Sequence, residues 1–121
     1  PARQFAQANN TKRRSDVNAI LNAVNQYMAD NKGLLPGGIP IDPDPALDIS
    51  DTGADICAAI VPTYIAALPA DPQVNNGTAI SEADCGGTYT TGYSIVRNIP
   101  NNRITITATT IELNDQVSVT R

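Results

Sequence analysis

Residues 1–32 carry a helical signal that fades halfway along, and this limits what the chain can fold into. From Asp16 on, Val17, Ile20, Leu21, Val24, Tyr27 and Met28 recur at steps of three and four, which places them on one stripe of an α-helix. Before Asp16 the apolar stripe nearly vanishes, leaving Phe5 and a few alanines among Arg3, Lys12, Arg13 and Arg14. The second half of such a helix must be covered by the rest of the chain. The first half has little to bury and needs a partner. The start at Pro1, with no initiator Met and no signal peptide, reads as a cut within a longer helix.

Past the helix, Gly33 sits where a helix C′ residue belongs and Pro36 follows as a stop. Eight Pro and Gly residues over 33–54 leave most of that stretch without regular structure. Ile56, Cys57, Ile60, Tyr64, Ile65 and Leu68 recover a short helical rhythm over 55–68, with Asp55 as its expected N-cap and Pro62 shortening or kinking it. The last third changes period. Tyr89, Tyr93, Ile95 and Arg97, then Ile104, Ile106 and Ala108, then Ile111 and Leu113, and then Val117 and Val119 alternate with polar or small residues, as half-buried strands do. Asn101-Asn102 and Asn114-Asp115 suit the turns between them. The expectation is an antiparallel meander of roughly 88–98, 103–113 and 116–121, with Ile104 and Ile106 packed on Val24 and Tyr27. The chain of 121 residues is then one α+β domain: a stalk over 1–32, a loop and short helix over 33–87, and a sheet over 88–121.

Composition narrows the chemistry. The chain has no His, so the commonest metal ligand and general base are both missing, and none of its serines has an imidazole to activate it. An enzyme is not expected. Cys57 and Cys85 are the only cysteines; a bridge closes a loop of about 28 residues and implies an oxidising compartment, against the alternative of two reduced, buried thiols. Charge is laid out unevenly. Five of the eight cations fall within 1–32, whereas 33–96 hold eight acids and no Lys or Arg. That pattern suggests subunits whose basic stalk, at Lys12, Arg13 and Arg14, meets the acidic head of another copy. As a nucleic-acid patch the same cluster is too thin, and no specific nucleic acid is expected. Asp42, Asp44, Asp48 and Asp51 lack the spacing of a calcium loop and read better as a solvated acidic segment. Asn9-Asn10-Thr11 and Asn76-Gly77-Thr78 match the glycosylation pattern, and no modification is assigned to them.

Three segments in order resemble type IV pilins and pseudopilins. They are Tyr27-Met28-Ala29-Asp30-Asn31-Lys32-Gly33 with Leu35-Pro36, then Ile60 to Pro72 ending Leu68-Pro69-Ala70-Asp71-Pro72, then Tyr93-Ser94-Ile95 with Arg103-Ile104-Thr105-Ile106. The resemblance implies a long helix on a three- to four-stranded antiparallel sheet. It also implies a preceding apolar segment that anchors in the inner membrane and later bundles with copies of itself at a filament centre. The function it implies is that of a structural pilus subunit on the cell surface, serving adhesion, motility, DNA uptake or aggregation. Its partners would be copies of itself, other pilins and the inner-membrane assembly machinery. The alternatives are a pseudopilin of type II secretion or a free secreted binding module. Gln73-Val74 stand where the major pseudopilins carry Trp-Gly, which weighs against the first alternative. Related pseudopilins bind calcium in a sheet-side loop; Asp71, Glu82 and Asp84 are the corresponding weak candidates here, and no other cofactor is expected.

Overall fold

The computed structural model describes residues 2–121. Helix α1 runs from Ala2 to Asp30. It stops because Lys32 and Gly33 both turn left-handed, at φ 59° and 82°, and the Gly33 N–H donates to the Met28 carbonyl at 2.8 Å. Glycine adopts that backbone without strain, which is why the stop could be placed from sequence.

Four antiparallel strands follow, β1 (Leu47–Ser50), β2 (Thr90–Arg97), β3 (Ile104–Ala108) and β4 (Ser118–Thr120), side by side in chain order. Tyr93 pairs with Ala108, Ile95 with Ile106 and Arg97 with Ile104, so Tyr93, Ile95, Ile104 and Ile106 share the buried face. Helix α1 lies across β3 and β4. Its Val17, Ile20, Leu21 and Val24 are buried in the same cluster as those strand residues, while Tyr27 and Met28 pack on its margin. The helix stripe from Val17 to Val24 and the strand alternation therefore cover each other, as expected, whereas Tyr27, expected on Ile104 and Ile106, is only half-buried and packs edge-on against Tyr64 at 5.8 Å. The chain is α+β, a long N-terminal helix on a four-stranded antiparallel sheet.

The other face of the sheet is hydroxyl-rich. Thr105 and Thr120 hydrogen-bond across β3 and β4 at 2.8 Å, and Thr107 and Ser118 do so at 2.9 Å.

Three expectations need correction. Helix α2 is a single turn, Cys57–Ile60, rather than a helix over 55–68, because Val61, which precedes Pro62, is extended (φ −101°, ψ 132°). Its N-cap is Ile56, and Asp55 instead accepts a 2.6 Å hydrogen bond from the Tyr89 hydroxyl. The strand expected over 103–113 ends at Ala108: Leu113 and Asn114 take positive φ, and Ile111 and Leu113 are exposed. β1 is an addition to the loop-rich middle, where Ile49 is buried and short edge pairing suffices to hold it.

Candidate functional site

The buried stripe of α1 does not end at Asp16. Ala6, Asn10, Arg13, Val17, Ile20 and Val24 are all buried and follow one another at steps of four and three. In the first half of the helix the stripe turns polar, and the rest of the chain meets it with charge.

Arg13 is completely buried. Its Nε donates to Asp71 Oδ2 at 2.7 Å and its Nη2 to Asp71 Oδ1 at 3.0 Å, a bidentate pair with a second fully buried residue. Nη2 also reaches Gln73 Oε1 at 3.0 Å, while Nη1 reaches Asn10 Oδ1 at 2.9 Å and Glu112 Oε1 at 2.7 Å. All five guanidinium donors are thus satisfied, the condition under which a buried cation is tolerable. Glu112 accepts from Asn9 Nδ2 as well. Arg13, then Asn9, hold the Glu112 carboxyl below its ordinary range, and Asp71 in turn raises Arg13.

One turn along, Lys12 Nζ donates to Asp16 Oδ2 at 2.7 Å and to the Ala70 carbonyl at 2.8 Å. The Tyr93 hydroxyl donates to the same Asp16 oxygen at 2.6 Å. Burial, and then that bond, push the Tyr93 hydroxyl far above the usual tyrosine range. Arg14 pairs with Asp115. The cluster staples two irregular segments, 70–73 and 112–115, onto the helix.

Asp71 reaches Arg13 because Gly92 leaves room for it. Gly92 has φ +80°, and a Cβ there would stand 2.8 Å from both Asp71 Cβ and Val74 Cγ2. The Asp71 N–H donates to the Thr91 carbonyl at 2.8 Å, so the segment runs against the start of β2.

This placement corrects the reading of Lys12, Arg13 and Arg14 as spare cations held for another subunit. All three are engaged within the chain. Within the molecule Arg13 meets the acidic middle at Asp71, in the core, whereas Lys12 pairs with Asp16 of the same helix and Arg14 with Asp115 near the C-terminus. Asn10 and Gln73 enter the sequence reading only in a glycosylation pattern and a departure from pseudopilins, and neither they nor Glu112 are expected there as partners of Arg13. The readable signal was that Asn10 and Arg13 continue the stripe at helical spacing, which a search for apolar residues alone passes over.

The calcium candidates are not assembled either. Asp71 is taken by Arg13, whereas Glu82 and Asp84 are exposed in a 3₁₀ turn, where Asp84 accepts from the Ser81 hydroxyl. No group of three or more His, Cys, Asp or Glu is gathered in a metal-holding geometry among the described residues.

Cys57 and Cys85 form a disulfide with a Cα–Cα distance of 5.3 Å, tying α2 to the approach to β2. Nearby, where β1 ends and β2 begins, lies an open cleft of about 660 Å³. Its lining includes the carboxylates of Asp48, Asp51 and Asp84, the hydroxyls of Ser50, Thr52, Thr88 and Thr90, and the side chains of Ile80 and Tyr89, with no cation. No helix among the described residues is long and apolar enough to cross a membrane. No family model, curated protein or solved structure matches the chain.

Proposed function

We propose that this chain is a structural subunit that works by polymerising with copies of itself, in the manner of a type IV pilin, and not by catalysis. The observation that carries this reading is the division of α1. Its second half is core to the head, while its first turn extends beyond the apolar cluster, with Phe5 72% exposed. On this reading the helices of neighbouring copies cover Phe5, at the end of the 29-residue helix, and continue the bundle past the head. The disulfide suits an exported head, and the hydroxyl-rich outer sheet suits a surface that stays in water. On this reading the subunit reaches the cell surface through inner-membrane assembly machinery, anchored by an apolar segment before residue 1, and it packs with other pilins.

The test is deletion of the gene followed by imaging of the cell surface, with antibody raised against the head. Loss of surface filaments that the antibody decorates in the parent supports the reading. Intact filaments with failed export of a secreted protein would replace it with a pseudopilin. Intact filaments with the protein free in the medium would replace it with a secreted binding module.

A further inference from the structure

The acidic cleft and the tip of the β2–β3 hairpin are opposite in charge and sit at opposite ends of the same strand. Thr90, where β2 starts, lines the cleft, and Arg97, where β2 ends, begins the tip. The two are separated by roughly 23 Å along the strand. The tip, Arg97-Asn98-Ile99-Pro100-Asn101-Asn102-Arg103, has no acid, and no acid occurs between Asp84 and Glu112. Ile99 is 49% exposed, between two arginines. Neither arginine forms an ion pair among the described residues, and neither do Asp48, Asp51 and Asp84. Arg97 donates to Asn102 through Nη2, but its buried Nε has no acceptor.

We propose that the β2–β3 tip of one copy docks in the acidic cleft of the next, Arg97 and Arg103 facing Asp48, Asp51 and Asp84, with Ile99 between them. The occupant is a second copy because the chain itself carries both the acidic slot and the basic knob. Within one molecule they point away from each other along β2. A contact between different surfaces at the two ends of a strand is heterologous: it repeats head to tail and does not close as a two-fold dimer. It also gives the acidic middle of the sequence a cationic partner, which the helix supplies only at Asp71. The choice of a second copy rests on the polymerising reading above, but the contact lies away from the helix end that carries that reading. The contact is small and polar and is therefore weak when isolated, at about millimolar affinity.

The experiment is an NMR dilution series of this chain at low salt, from about 1 mM downwards. Concentration-dependent shifts at both 97–103 and the cleft residues, lost in high salt, are expected. Shifts at neither place, or at only one of the two, overturn the proposal. Arg103→Asp and Asp84→Arg, both at exposed positions, should each weaken the association several-fold, and an equimolar mixture of the two should restore it. Unchanged association in either variant overturns the proposal. As a measure that does not depend on the charge variants, Thr88→Cys protein mixed with Asn101→Cys protein should cross-link as the mixed dimer in excess over either self-dimer. A predominance of self-dimers also overturns it. Intact filaments after deletion of the gene, with normal dilution shifts in the purified chain, would overturn the proposed function alone and leave this contact standing; filaments lost on deletion, with no dilution shifts, would overturn this contact alone.

Discussion

Arg13 and Asp71 illustrate how much a single residue pair can decide when both members are buried. The pair's net contribution is small, because desolvation opposes the Coulomb attraction, yet breaking it from one side leaves a charge with no water to return to. Asp71→Asn should therefore cost about 3–5 kcal/mol in urea denaturation, and Arg13→Met a similar amount. The double variant should cost much less than the sum of the two, so that a double-mutant cycle shows strong coupling. Additive losses would mean that the two side chains do not act as a unit. Tyr93 makes a prediction about pH. Its hydroxyl is held neutral in the fold, with its pKa raised, so its contribution is complete below about pH 10. It is lost as pH rises further, because the unfolded chain releases the proton first. Tyr93→Phe should lose less stability than the parent between about pH 10 and 12. Glu112 has the opposite sign: its lowered pKa stabilises the fold above about pH 4.3, and that contribution fades as pH falls through the folded value. Glu112→Gln should accordingly flatten the acid limb of the same stability curve.

At the scale of elements, the irregular segments are held by specific contacts and not by length or propensity. The segment 70–73 lies against β2 because the Asp71 N–H pairs with the Thr91 carbonyl and because Gly92 has no side chain. Gly92→Ala would strain a φ of +80° and force Cβ within 2.8 Å of Asp71 and Val74, moving the carboxylate away from Arg13. The expected loss is about 1–3 kcal/mol, with the 70–74 amides losing hydrogen-exchange protection before the helix amides do. Uniform loss across the chain would show that the segment is not an independent unit. Helix α1, by contrast, was legible over nearly its whole length, since its second-half periodicity and its glycine stop are both local signals. The single turn of α2 was overestimated because six apolar residues at helical spacing can also be buried one by one in an irregular chain. β1 was missed for the converse reason: four residues among prolines carry too little pattern to register, and only pairing with β2 makes them a strand.

At the scale of the whole molecule, the disulfide closes a loop that contains most of the irregular segment between α2 and β2. Cys57→Ser should lower stability by about 3–4 kcal/mol on the loop-entropy estimate, and the parent should lose as much on reduction. Equal melting of parent and variant under oxidising conditions would argue that the segment is held by its other contacts. The sequence alone determined the α+β class, the amphipathic half of the helix, that Cys57 and Cys85 are the one pair a bridge could use, and the lack of any imidazole. Each of these follows from composition or from a period that neighbouring residues repeat. Only the tertiary structure decided the rest: that Arg13 is core and not stalk surface, that its partner is Asp71 from 58 positions away, and that Asp71, Glu82 and Asp84 lie apart. The physical reason is the range of the interaction. Backbone periodicity is local and shows in a window of a few residues, whereas a buried charge is tolerated only by donors and acceptors brought from distant segments, and no local pattern encodes which segments will meet.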